Sequence, residues 1–425
     1  MQALKNIFLS PILEHELSEF SIYIHFPYCL QKCPYCDFNS YAIRKEEHDF
    51  KRYTRAVLAE LKARMHLFSN YTLRSIYLGG GTPSLWSSDA IAQIIDLIIQ
   101  QYPYRLSPLE ITLEANPGAV ELSSLAGFKS AGVNRISMGI QSLDNKLLKV
   151  LGRIHNQQEA KDALDKIKQT NFKSYSVDFI YAIPSQTLQD WKYTLDAIDA
   201  LQLPHVSAYN LIYEENTPLF DWRAHRKIIP HDEDTEAEFY ELTVRSLQAA
   251  CLQQYEVSNF ARTGHQSVHN QTYWNGQSYL GIGAGAHGFL LGHVQSHSNA
   301  PSLWAERYEN IRTPQAYESY WLNEMPSSLA LQSIDTQPLA TNMLAEEQVL
   351  LGLRCQKGWN AAMTADLCGV DAISVAQQIA DRYPEWCAYE KTYLRPTQQG
   401  LMVSQFLVST CALALEKQQS IPKST

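Results

Sequence analysis

The chain reads as an α/β protein, a parallel sheet wound either as an open doubly wound fold or as a partial barrel, with a small helical unit after it. Three observations predict this. Six short runs of β-branched and aromatic residues alternate with amphipathic helical stretches. That rhythm stops after residue 212. At 425 residues, 45% of them hydrophobic, the chain suffices for a barrel-sized domain plus a smaller one, each with a buried core.

The strands are FSIYIHF (20–26), SIYLGG (75–80), LEITLEA (109–115), VNRISMG (133–139), SYSVDFIYA (174–182) and HVSAYNLI (205–212). Between them, DFKRYTRAVLAELKARM, DAIAQIIDLIIQQ and NQQEAKDALDKIKQT place apolar residues near helical spacing, with polar residues on the remaining face. A strand followed by a helix and then a parallel strand requires a right-handed crossover, and such sheets carry their chemistry at the C-terminal ends of the strands. Beyond residue 212 a further helix, DEDTEAEFYELTVRSLQAA, leads to YEVSNFARTGHQSVHNQTYW and GIGAGAHGF. The expected organisation is an N-terminal arm (1–19), a barrel with an extension (20–295), a Ser, Pro, Gln and Asn-rich linker (296–342) and a C-terminal domain (343–425). The last holds three helical stretches and then TYLRPTQQGLMVS, read as a small hairpin. That order is similar to a winged-helix unit, but no basic recognition helix accompanies it, so a packing or lid role is expected.

Net charge is −9 and no basic run occurs, which argues against nucleic acid as a partner. The opening MQALKNIFLSPILEHELSEF has neither the apolar core of a signal peptide nor the Arg-rich, acid-poor character of a transit peptide. No stretch approaches ~18 uninterrupted apolar residues. A cytoplasmic protein without an intrinsic membrane anchor is expected.

Eight cysteines are present. Five are scattered singly (251, 355, 368, 387 and 411) and read as buried small hydrophobes. The other three, Cys29, Cys33 and Cys36, crowd one loop after the first strand. Zinc sites usually draw four ligands from two pairs, and a thioredoxin-type motif needs two cysteines. Three thiolates on one loop suit three irons of a [4Fe–4S] cube, with the fourth iron open to a small molecule.

C-x3-C-x2-C after a first strand, with GGGTPS ending the second, resembles the radical S-adenosylmethionine (SAM) superfamily. The resemblance implies a partial (β/α)6 barrel, a [4Fe–4S] cluster on Cys29, Cys33 and Cys36, and SAM chelated to its open iron. It also implies reductive cleavage of SAM to a deoxyadenosyl radical. The glycines of GGGTPS are expected to let the backbone approach the methionine moiety. IHFPYC, GGGTPS, LEANP, RISMGIQS, LGRIH and VDFIYAIPSQT follow the order of the anaerobic coproporphyrinogen oxidase-like branch. By that resemblance Tyr23, Gly80, Gly81, Thr82, Glu114, Gln141, Arg153 and Asp178 line the SAM site. Read singly, Glu114 could instead cap the helix after LEANP, and Asp178 could be a strand-end ion pair.

Oxidase members of that branch carry a further cysteine two positions after the third, where this chain has Phe38, and a longer N-terminal arm. CPYCDFNSY and HNQTYW (269–274) resemble instead the HemW group, whose members bind heme and are not oxidases. That resemblance implies a heme chaperone, with His269, Tyr273 and Trp274 at the heme, and an acceptor protein that the sequence does not name. Histidine nitrogen is a usual axial ligand of heme iron, and the aromatic faces suit a macrocycle. His265, His287 and Cys251 stand as alternative ligands. His25 either hydrogen-bonds near the cluster or packs the barrel mouth. The runner-up function is a radical-SAM oxidase acting on coproporphyrinogen or another tetrapyrrole.

Overall fold

The computed structural model describes residues 19–44, 49–69, 71–295, 301–324 and 334–419. Six strands follow one another in chain order: β1 (Glu19–Phe26), β2 (Thr72–Gly80), β3 (Arg105–Ala115), β4 (Arg135–Gln141), β5 (Ser174–Tyr181) and β6 (His205–Asn210). All five pairings between neighbours are parallel. Sequential order means that every crossover steps the same way, so the sheet curls into a partial barrel and is not doubly wound. Six further strands extend it: β7 (Gln253–Gln254), β8 (Asn259–Ala261), β9 (Ser278–Ile282), β10 (His287–Gln295), β11 (Pro301–Glu309) and β12 (Asp335–Pro338). The full order is β12-β11-β10-β9-β1-β2-β3-β4-β5-β6-β8-β7, with β9 parallel to β1.

Alternation along the strands divides the sheet into two chemically different faces. Ile22, Ile24, Ile76, Leu78, Leu113, Ile136, Met138, Val177, Phe179 and Val206 are buried on one face. There they join the crossover helices in a single hydrophobic core. These are α1 (Lys51–Arg64), α2 (Ser88–Gln101), α3 (Ala119–Ser130), α4 (Gln157–Thr170), α5 (Leu188–Leu201) and α6 (Glu233–Ala249). In α2 the buried Ile91, Ile94, Ile95 and Ile98 fall on one helical stripe, and Ser87 caps its N-terminus. Capping boxes start α4 (Asn156 with Glu159) and α5 (Thr187 with Asp190).

The other strand face is polar. Register places Ser21 beside Ser75 and Ser75 beside Glu110; the next row runs Tyr23, Tyr77, Thr112, Arg135, Ser174. Above it lie Glu114, Ser137 and Ser176, then Gly139, Asp178 and Ser207. Into the lower part of this interior drops a seven-residue helix, α7 (Val268–Trp274), which packs against β1, β2 and β9. The Glu110 carboxylate accepts the Val268 and His269 backbone N–H groups at 3.1 and 2.9 Å. An anion there satisfies the exposed donors of a helix N-terminus.

The expected linker is corrected by the structure. Within 296–342, residues 301–309 form β11, which pairs along its whole length with β10, and α8 (Pro314–Trp321) packs on α1. Polar composition concealed this strand, although its partner β10 immediately precedes it in the chain. The arm expected over 1–19 falls, apart from Glu19, outside the described residues. The C-terminal stretch forms helices Thr341–Gly352, Ala361–Cys368 and Ala372–Arg382, then a hairpin of Cys387–Glu390 and Tyr393–Pro396. The turn therefore comes earlier than TYLRPTQQGLMVS predicts, since QQGLM is helical with Thr397 as its cap. Ser404–Gln419 closes this unit, whose core includes Val349, Leu353, Trp359, Val375, Leu394 and Leu407. Of the five scattered cysteines, Cys355, Cys387 and Cys411 are buried and Cys368 partly so. Cys251 is exposed, at a left-handed position just after α6, and is no core residue.

Candidate functional site

A cavity of about 500 Å3 opens at the C-terminal ends of β2 to β6. Its rim on one side is the loop bearing the three cysteines. Residues Tyr28–Cys29 pair with Tyr41–Ala42 at the base of that loop. Lys32 Nζ braces it from within by donating to the carbonyls of Phe38 and Ser40 at 3.0 and 3.3 Å. Asn39 ties it to the extension through the Ala284 carbonyl, and His25 Nε2 meets the Asn39 carbonyl at 2.9 Å. His25 is thus a hydrogen-bonding partner of the cysteine loop.

Cys29, Cys33 and Cys36 all line the cavity. Burial raises the thiol pKa of Cys29 and of Cys36. Arg153 Nη1 donates to Cys33 Sγ at 3.5 Å. Among the described residues no group of three or more His, Cys, Asp or Glu side chains is gathered so as to hold one metal ion. Three thiols of one loop on the cavity rim suit a polynuclear cluster with one thiolate per iron.

The expected SAM residues Gly80, Gly81, Thr82, Glu114, Gln141, Arg153 and Asp178 share this cavity with the cysteines. Glu114 accepts Tyr77 Oη at 2.8 Å and the Gly80 N–H at 3.0 Å, and does not cap the following helix. Burial, then the charge of Asp178, pushes its carboxyl up to about 7. Asp178 accepts from Ser137 and Ser176, and burial raises its pKa too. A register shift between Gly139 and Gln141, with Gln141 at φ 68°, turns the end of β4 toward the cavity. Arg153 Nη2 is held by the Gly139 carbonyl at 2.7 Å and by Asn116. Its buried Nε has no partner, and neither has the hydroxyl of Thr112, which also lines the cavity. Unmet buried donors beside three thiols fit an anionic cluster and a polar ligand.

Three expectations change. Gly80 sits at φ +112°, where a Cβ would lie 2.5 Å from the His25 ring. The glycine makes room for the protein's own histidine, so the stretch need not be glycine for a ligand's sake alone. Tyr23 shares a strand row with the lining residues Tyr77 and Thr112 but is not itself part of the lining, and its Oη is bonded to His25 Nδ1 at 2.8 Å. His269 is buried inside the barrel, with Nδ1 bonded to Ser75 Oγ at 2.8 Å and Nε2 to Tyr273 Oη at 2.9 Å. Both ring nitrogens are engaged, so ligation of iron requires one of these bonds to open. Burial brings the imidazole down to about 3, which keeps it neutral. Trp274 lies under the Arg354 guanidinium, 5.9 Å from its ring centre. His265 bonds Ser174, and the solvent-facing His287 pairs with Glu309 at 3.9 Å.

Sequence reasoning missed Tyr77, Asn116, Ser137 and Ser207 as cavity residues. The signal was present as every second residue of β2 to β6, a polar stripe opposite an apolar one. The exposed Phe38 stands at the cavity mouth.

Comparison with known proteins bears on this geometry. Residues 23–198 match the Radical SAM superfamily. The chain is 43% identical over 306 residues to the heme chaperone HemW of Haemophilus influenzae, covering 71% of this chain and 76% of that one. It is 31% identical over 366 residues to the heme chaperone HemW of Bacillus subtilis, covering 85% and 91%. The structure of the radical SAM enzyme coproporphyrinogen III oxidase (HemN) from Escherichia coli superposes with a TM-score of 0.73, covering 94% and 92%. At 18% identity that likeness speaks for the fold alone. With the cysteine loop, the barrel and relatives of this identity over most of their length, the chain belongs to the HemW family within the radical SAM superfamily.

Proposed function

We propose that this protein is a heme chaperone, binding heme and passing it to an acceptor protein, and that it carries a [4Fe–4S] cluster and SAM. The observation that carries the reading is 43% identity to a protein named for heme chaperoning, over 76% of that protein's length. In this reading Cys29, Cys33 and Cys36 hold the cluster as thiolates, so loading releases protons and offsets the burial of two of the thiols. The loaded cluster supplies an electron source and an open coordination position. Arg153 holds anionic groups beside Cys33, and the fork of its guanidinium suits a carboxylate. Glu114 and Asp178 accept from amino or ribose donors, while the Gly80–Thr82 turn and Gln141 close the sides of the cavity.

His269, Tyr273 and Trp274 are the proposed heme residues. Because His269 is bonded at both nitrogens, heme binding there needs Nε2 to leave the Tyr273 hydroxyl within α7 or Nδ1 to leave Ser75 on β2. Heme is expected to bind saturably to the cluster-reconstituted protein with a distinct Soret band. His269→Ala should lower that affinity while the cluster absorbance stays. Formation of protoporphyrinogen from coproporphyrinogen, with SAM and reductant present, would restore the oxidase reading. Saturable heme binding unaltered in the variant would move the heme site away from α7.

A further inference from the structure

We propose that Tyr77 is a positioning residue that transmits occupancy of the SAM cavity to α7, the helix carrying His269. The proposal rests on the placement of SAM against Glu114 given above. Tyr77 touches both sites with different parts of one side chain. Its hydroxyl donates to Glu114 Oε1 at 2.8 Å, and its ring stacks on the His269 imidazole with centres 4.8 Å apart and planes at 24°. The second Glu114 oxygen is taken by the Gly80 N–H at 3.0 Å, so both of these contacts come from β2.

The contact has little slack. A Cβ on Gly79 would stand 2.8 Å from Tyr77 Cε1, 3.0 Å from Tyr23 Cε2 and 3.1 Å from Glu114 Cδ. Interiors packed this closely pass a displacement on to their neighbours. Tyr23 forms the third ring of the group, 6.2 Å from Tyr77 and 6.4 Å from His269. Its bond to His25, and that of His25 to the Asn39 carbonyl, continue the contact chain to the cysteine loop. On the other side, α7 is short and depends on Glu110 at its N-terminus and on Ser75 and Tyr273 around His269. A ligand that pulls the Glu114 carboxylate reorients the Tyr77 hydroxyl, and the ring lying on His269 moves with it.

Hydrogen exchange read by mass spectrometry on the full, cluster-reconstituted chain tests this, with SAM as the probe and its binding measured separately by dialysis. The readout is the ratio of exchange rates of the Val268–Trp274 amides without and with SAM. In the wild type that ratio should differ from one by at least about fivefold, the low end of ordinary coupling. Tyr77→Phe keeps the ring; at SAM concentrations that dialysis shows to saturate each protein, whatever the affinity, its ratio should lie near one. A structural role alone would raise exchange equally in both conditions and leave the ratio as in the wild type, overturning the proposal. The wild-type arm decides the matter without the variant, since bound SAM with no change in α7 also overturns it. Failure of the wild type to bind SAM overturns the cofactor placement first and the proposal with it.

Discussion

Glu114 is a cavity residue whose chemistry is strongly altered by its surroundings. Burial and the nearby Asp178 charge favour the neutral carboxyl, against the Tyr77 and Gly80 donors that favour the ionised one, and the balance lies at about 7. The native state therefore holds this proton more tightly than the unfolded chain, whose value is 4.5. Stability from this group falls as pH rises from 4.5 to about 7 and is level above that. A ligand presenting N–H or O–H donors needs the ionised form, so it shifts the balance the other way. The ratio of wild-type to Glu114→Gln affinity for SAM should fall as pH drops below neutrality, approaching about tenfold per pH unit. Dialysis at several pH values checks this, and a flat ratio would show that Glu114 does not face the ligand's donors. Its position at the end of LEANP was legible in the sequence. Its hydroxyl partner on β2 was not, because a contact spanning 37 residues depends on strand register.

The strands were legible because β-branched runs and their alternation are local properties. The same alternation encodes the polar interior, where β1 offers Ser21, Tyr23 and His25 and β3 offers Glu110, Thr112 and Glu114. The interiors of closed eight-stranded α/β barrels are ordinarily filled with branched apolar side chains, so a polar stripe on every second position of these strands marks a site before any motif is considered. The placement of α7 was not legible. HNQTYW has the residue types of a ligand surface, but it folds inward because Glu110, 159 residues away from His269, meets its N-terminus. Glu110→Ala should therefore loosen α7. Losing a cap of this kind costs about 1–2 kcal/mol, and Arg135, 3% exposed and 4.0 Å from Glu110, loses its nearest carboxylate as well. A lower melting temperature with faster exchange in Val268–Trp274 is expected. An unchanged melt would mean that the remaining contacts of α7, the Ser75 and Ser21 bonds and the ring stacking among them, hold it without the carboxylate.

At the scale of the whole molecule, the polar segment around 301–309 joins the barrel sheet to the C-terminal unit. It contributes β11 to the edge of the sheet, and Ala305 from that strand meets Phe289 and Leu291 of β10. Leu344 and Leu367 of the C-terminal unit complete this small buried cluster. The Arg307–Glu347 ion pair at 2.7 Å and a backbone bond from Val257 N–H to the Arg354 carbonyl lie nearby. Arg354 in turn covers Trp274 on α7, so the C-terminal unit touches the helix that carries the proposed heme residues. Exposed ion pairs contribute little to such docking, and the apolar contact dominates. Leu344 is 1% exposed, and its truncation to alanine should cost about 2–5 kcal/mol, felt at the junction between the units. Limited proteolysis under native conditions should then release a C-terminal fragment from Leu344→Ala much faster than from the wild type. Equal release from both proteins would mean that the two units separate without opening this cluster. A wild type that sheds no fragment, beside a variant that does, would show that this cluster holds the C-terminal unit on the edge of the sheet.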